Sequence, residues 1–118
     1  MTVSVNAKTY TADSFSPNAT VYNGPAHTMT VLDDLRIARV APKPTVVFSG
    51  VGRTSVKLAR TSTLTGALTP TGVLLGEMNT SAPVGTPGAD IDSLLNDMGA
   101  FIASATYKTL VKNLQVNF

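Results

Sequence analysis

Short runs of alternating polar and apolar residues fill the first three quarters of the chain. They are rich in Thr, Val and Ser, and Gly, Pro or Asn interrupts them at intervals of roughly 8–12 residues, the signature of successive antiparallel strands. The breakers fall at Ser16-Pro17-Asn18, Asn23-Gly24-Pro25, Pro42-Lys43-Pro44, Gly50-Val51-Gly52, Leu64-Thr65-Gly66 and Thr69-Pro70-Thr71-Gly72, each able to reverse the chain or end a strand. Arg53 to Thr61 alternates most clearly. Arg53, Ser55, Lys57, Ala59 and Thr61 share one face, and Thr54, Val56, Leu58 and Arg60 share the other, mainly apolar one. The same parity predicts a strand at Thr45 to Ser49, with Val46 and Phe48 set against Thr45, Val47 and Ser49. In Val73 to Asn79, Leu74, Gly76 and Met78 fall on one face and Leu75, Glu77 and Asn79 on the other.

After Pro83-Val84-Gly85-Thr86-Pro87-Gly88 the period changes. Ile91, Leu94, Leu95, Met98, Phe101, Ile102 and Ala105 follow the spacing of an amphipathic helix, with Asp90 placed to cap it and Asp92 in its first turn, where a carboxylate suits the helix dipole. Ser104-Ala105-Thr106 offers a break and a new cap, and Tyr107, Leu110, Val111 and Leu114 make a second, shorter stripe. Strands followed by two helices predict an α+β fold with helices on one face of an antiparallel sheet. Two stripes are a large apolar surface for one small sheet. Either both helices pack on their own sheet, or each chain's helices cover the sheet of a second copy, and the pattern does not separate these.

Composition sharpens this picture. The 118 residues are 43% hydrophobic and only 14% charged, too apolar for disorder and sparsely charged for a freely solvated monomer, so much of the surface is expected against other chains. No repeat or long linker divides the chain, so residues 1–118 read as one domain. Without Cys there is no disulfide framework or thiolate site. The N-terminus lacks a signal-peptide pattern and no stretch approaches the roughly 20 apolar residues of a membrane span, which predicts a soluble intracellular product without a membrane partner. Net charge is only +2, but its distribution is uneven. Arg36, Arg39, Lys43, Arg53, Lys57 and Arg60 lie between Leu35 and Gly76 with no acidic residue among them, whereas Asp90, Asp92 and Asp97 cluster near the C-terminal end.

Catalytic chemistry finds little to stand on. His27 is the single histidine, in a Thr-rich strand-like segment that suits a structural role better than a general base. In a strand, Asp33 and Asp34 would point to opposite faces, which fits a turn or strand end. No cluster of His, Cys or carboxylates has metal-ligand spacing, and no cofactor is implied. Gly50-Val51-Gly52-Arg53-Thr54-Ser55 lacks the glycine spacing and Gly-Lys-Ser/Thr ending of a phosphate loop, and a hairpin turn explains it better. An enzyme is therefore not expected. The cationic strand is more informative. Alternate residues of a strand stand about 6.5 to 7 Å apart, near the spacing of an extended RNA backbone, so Arg53 and Lys57 with Ser55 and Thr61 could track phosphates. An ordinary solvated strand face is the competing reading.

Several stretches together resemble a known family. Arg39-Val40-Ala41-Pro42-Lys43-Pro44-Thr45, Phe48-Ser49-Gly50, Arg53 through Thr61, and the Pro/Gly-rich connection into the Ile91 to Ala105 helix are similar to the levivirus-type single-stranded RNA bacteriophage coat proteins. The likeness runs from about Leu35 to Phe118, and the N-terminal third matches only in layout. The resemblance implies an N-terminal β-hairpin, a five-stranded antiparallel sheet and two C-terminal α-helices that interlock with a second subunit. It implies a homodimer whose joined sheets face the interior of an icosahedral shell around single-stranded genomic RNA, made in the bacterial cytoplasm and ending in the virion. By position, Thr45, Ser49, Arg53, Ser55, Lys57 and Thr61, with Glu77 and Asn79, would face RNA. Leu94, Leu95, Met98, Phe101, Ile102 and Leu110 would face the partner subunit, and Leu64 to Gly72, containing Gly66, Pro70 and Gly72, would be the loop at the capsid symmetry axes. Where several members present a tyrosine for stacking a base, this chain has Val73, Leu75 and Glu77, so RNA packaging by charge is the expectation. The rival is a small β-rich adhesion or phage-tail binding module without RNA.

Overall fold

A computed structural model describes residues 2–47, 49–66 and 68–117. Six strands follow one another: β1 (Thr2–Val5), β2 (Lys8–Ser16), β3 (Ala19–Asn23), β4 (Asp33–Val40), β5 (Val51–Thr63) and β6 (Thr71–Pro83). Two helices end the chain, α1 (Gly88–Ile102) and α2 (Ala105–Asn113). The strands form one antiparallel sheet in sequence order, β1-β2-β3-β4-β5-β6, so the opening hairpin is its edge and not a separate element beside five other strands. Residues 1–84 and 85–118 form two compact units.

In the sheet unit, alternation sets the faces and register fixes what meets. Leu58 lies opposite Leu35, Leu35 opposite Tyr22, and Tyr22 opposite Ala12, so one apolar row crosses four strands. Tyr10, Tyr22 and Leu35 are buried there, with Val3, Val5, Ala12 and Leu58 packed against them. A polar network closes the row. Asp33 is only 4% exposed; its Oδ1 accepts from the Tyr10 hydroxyl at 3.4 Å and from Arg60 Nε at 3.4 Å, and its Oδ2 accepts from Ala26 N at 3.2 Å. Arg60 Nη2 also donates to the Tyr10 oxygen at 2.8 Å. Gly24 must be glycine, because a Cβ there would lie 2.6 Å from Asp33 Cγ and 2.7 Å from the Tyr10 ring. The strand-end role expected for Asp33 holds, but its burial was not legible.

Local chemistry explains where expectation and structure part. Thr45 and Ser49 lie on no strand: the chain from Ala41 to Gly50 is a connection, because Pro42 and Pro44 lack ladder donors and Gly50 takes φ +96°. Phe48 lies outside the described residues. Nor do Gly50 to Ser55 make a hairpin turn, since β5 already begins at Val51 and Gly52 pairs with Ala82. In the turn between β1 and β2, Asn6 suits a positive φ but Ala7 does not, yet both take one, as a type I′ hairpin turn requires.

In the helical unit, α1 starts earlier than the pattern predicted. Pro87 is its N-cap, so Asp90 sits in the first turn instead of capping. It stops at Ile102, and Ser104 caps α2 as expected, its Oγ accepting from Tyr107 N at 3.3 Å. The Phe101 and Tyr107 rings meet edge to face at 5.6 Å. Neither helix has a buried residue.

Candidate nucleic-acid interface

The face of the sheet opposite the tyrosine core is a polar grid whose rows are set by register. Val40, Arg53 and Ser81 make one row across β4, β5 and β6; Ala38, Ser55 and Asn79 the next; Arg36, Lys57 and Glu77 the third. Neighbouring strands lie about 4.8 Å apart and like-facing residues of one strand about 6.5 to 7 Å apart, so Arg53 and Lys57, two rows apart, stand about 13 to 14 Å from each other with Ser55 between them. Arg36 and Lys57 stand directly opposite each other, an arrangement of like charges that disfavours the sheet unless an anion lies over it. Glu77 on the far side of Lys57 offsets part of this.

A shallow depression of about 230 Å³ lies along the grid, lined mainly by Ala38, Val40, Arg53, Ser55, Asn79 and Ser81. A second, of about 250 Å³, shares Val40 and Arg53 with it and continues to Lys43 and Gly50. Cationic groups with hydroxyl and amide donors, on a rigid sheet and along an open trough, suit a flexible polyanion better than an enclosed small molecule. Among the described residues no group of His, Cys, Asp or Glu is placed to hold a metal. No described helix is long and apolar enough to cross a membrane.

No protein-family profile matches the sequence, and no curated protein matches it. Solved structures do match. A chain from the virus-like particle of Beihai levi-like virus 32 superposes with TM-score 0.83 at 22% identity, over 96% of this chain and 91% of that one. One from the virus-like particle of Beihai levi-like virus 21 gives 0.74 at 12% identity over 100% and 95%. The coat protein of bacteriophage EMS014 gives 0.59 at 20% identity over 83% and 68%. The chain has the levivirus coat-protein fold.

Within this coat-protein fold, Arg53, Ser55 and Lys57 share one face as their parity predicts, and register brings Glu77 and Asn79 onto the same grid, as the resemblance implied. Thr61 shares the face, but its hydroxyl accepts from Leu32 N at 2.8 Å and ties down the connection before β4. Thr45 and Ser49 are in the β4–β5 connection and off the grid. Arg36 was missed as a site residue, because its face follows only from the β4–β5 register. Asp34 was missed on the same face; its Oδ1 lies 3.1 Å from Nδ1 of His27, which sits in the β3–β4 connection. Gly66 takes φ +71° in the connection Leu64–Pro70, closed by Leu64 N donating to Pro70 O at 2.9 Å. Gly72 instead lies within β6 opposite Ser62, and Ala67 is outside the described residues.

Two further features of the coat-protein fold bear on partners. β6 is an edge strand of 13 residues in unbroken register with β5, with proline only at its end and one charged side chain, Glu77. Such an edge invites another strand. On the helices, Leu94, Leu95, Met98, Phe101 and Ile102 all remain exposed, and Leu110 is half-buried.

Proposed function

We propose that this chain is a capsid subunit that dimerises and packages single-stranded RNA. The observation that carries the proposal is the fold match to chains of virus-like particles over nearly the full length, strands and helices together. Local geometry supports each part. The free β6 edge of one copy pairs with that of another, giving one continuous sheet, and the exposed stripe on α1 with Leu110 of α2 covers apolar surface of the partner. Residues 1–118 then act as one coat-protein domain completed by the second copy. The grid around Arg36, Arg53, Ser55, Lys57 and Asn79 takes up RNA through phosphate charge, with counterion release as its main driving force. The Leu64–Pro70 connection lies at the shell's symmetry axes, the particle is the virion, and the subunit is made in the bacterial cytoplasm.

The test is expression of the full chain in bacteria followed by sedimentation and electron microscopy. Particles of uniform diameter holding nuclease-protected RNA are expected. A folded, nucleic-acid-free monomer would overturn the capsid reading in favour of a small β-rich binding module.

A further inference from the structure

We infer that two copies pair through β6 about a two-fold axis at Glu77, so that Lys57, Glu77, the partner's Glu77 and the partner's Lys57 form one row at the centre of the joined grids. The inference rests on the capsid reading and deepens it by fixing the register of the dimer. It starts from the edges of the sheet, which are β1 and β6. β1 has 4 residues and β6 has 13 in unbroken register with β5, so β6 against β6 is the longest ladder these edges allow.

Symmetry then restricts the register. Two identical strands around a two-fold axis make an isologous contact. Residues opposed across an antiparallel pair share a face, so the axis passes beside one residue, which meets its own copy. β6 runs from Thr71 to Pro83, and its midpoint is Glu77. Moving the axis by one residue either way leaves two residues at one end of each strand without an opposite number.

Side chains on the outer face favour the same centre. Gly76 stands in mid-strand without the left-handed conformation that would call for glycine, and no other described residue comes within 4 Å of where its Cβ would stand. Its own chain does not need the glycine. Within a strand that has no bulge, such a residue marks a close approach from outside. With the axis at Glu77, Gly76 faces the partner's Met78 and Met78 faces the partner's Gly76, so a long, adaptable side chain covers each open position. Leu74 likewise meets the partner's Thr80, and Gly72 the partner's Ala82. An axis at Gly76 would set glycine against glycine, and one at Met78 would set the two methionines against each other.

On the grid face, two carboxylates directly opposite disfavour pairing. Lys57 lies opposite Glu77 on the inner side in each copy, so the row runs cation, anion, anion, cation and carries no net charge. Arg36 extends the row at either end. The acidic pair thus divides the cations of the joined grid into two halves related by the axis.

The chain has no cysteine, so introduced thiols report on register alone. Opposed residues of an antiparallel pair have Cα atoms about 4.5–5.5 Å apart, within the range of a disulfide. Dimers of each full-chain variant, checked by sedimentation, are mildly oxidised and run on a non-reducing gel. Glu77→Cys is expected to shift from monomer to dimer mobility. Leu75→Cys alone and Asn79→Cys alone are expected to stay at monomer mobility, because each residue stands about 14 Å from its own copy. The double variant Leu75→Cys/Asn79→Cys, which keeps Glu77, is expected to link, since these two residues oppose each other across the axis. Linking of Leu75→Cys or Asn79→Cys by itself, or dimers that stay unlinked in both Glu77→Cys and the double variant, would overturn the inference and leave the capsid reading standing. An unmodified chain that forms neither dimers nor particles would overturn both.

Discussion

Asp33→Ala tests what holds the sheet unit together. The substitution deprives the fully buried Tyr10 hydroxyl of its acceptor, at about 1–3 kcal/mol for a buried donor left unpaired. Ala26 is exposed, so water can replace the carboxylate at its N–H at little cost. The Arg60 side chain is 42% exposed, so the lost ion pair is discounted to the surface range of about 0–1 kcal/mol. The sum is about 1–4 kcal/mol, which at a urea dependence of about 2 kcal/mol/M lowers the unfolding midpoint by about 0.5–2 M. Measurements are made at one fixed dimer concentration, because association adds to apparent stability. Adding Gly24→Ala makes a cycle: alone it forces a methyl against the Asp33 carboxylate and the Tyr10 ring, but with Asp33 truncated only the ring remains in the way. The double variant should therefore be less destabilised than the sum, by about 1 kcal/mol. A loss below about 0.5 kcal/mol for Asp33→Ala, the range of an ordinary surface change, would refute the network's role.

The pH dependence has a definite sign. The hydrogen bond to Tyr10, ahead of the Asp33 charge, raises the Arg60 pKa above its ordinary value, with burial acting against it. A raised pKa gives stability that is present below the unfolded value and lost as pH rises through the folded one. The Arg60 contribution is therefore complete at neutral pH and fades only in strong alkali.

On the polar grid, Arg53→Ser with Lys57→Ser should leave the fold intact and weaken single-stranded RNA binding by dimers for all sequences alike, the salt slope falling by about 0.7 per lost phosphate contact; an unchanged slope in a filter-binding titration would mean a merely solvated face. Leu95→Asp or Phe101→Asp should place an unpaired charge in the dimer contact at a cost of several kcal/mol, and assembled, folded product from both variants, seen by sedimentation, would remove these residues from the interface. Shortening the Leu64–Pro70 connection should leave dimers folded and change particle size or symmetry under the electron microscope, whereas unfolded dimers would show that the segment belongs to the core.

Much of this was legible because it depends on period. The parity of Arg53 to Thr61 names its faces without any partner strand and holds, and the helical spacing of Ile91 to Ala105 holds as far as Ile102, with Ala105 opening α2 instead. Arg36 belongs to the grid only because β4 pairs with β5 in a register that sets it beside Lys57, and register depends on connections the pattern does not measure. The segment at Thr45 to Ser49 failed for the opposite reason. It alternates as a strand does, but Pro42 and Pro44 remove ladder donors before it and Gly50 turns the chain after it, so backbone chemistry outweighed side-chain parity. Asp33 was hidden because its burial is created by residues distant in sequence, Tyr10 and Arg60, that meet only across four strands.

The polar grid and the free surfaces lead to the same conclusion by different routes. Arg36 and Lys57 face each other at a cost to the sheet, which is relieved when a polyanion supplies the missing charge. Among the described residues no strand pairs with the outer side of β6, a state that long, unprotected edges rarely keep when another copy is available. The α1 stripe carries five large apolar side chains, Leu94, Leu95, Met98, Phe101 and Ile102, and buries none of them. Each feature is unfavourable in an isolated chain and each calls for a different complement: phosphate, a strand, an apolar face. Under the proposed function a second copy would supply the last two and RNA the first, so dimerisation and packaging would relieve all three at once.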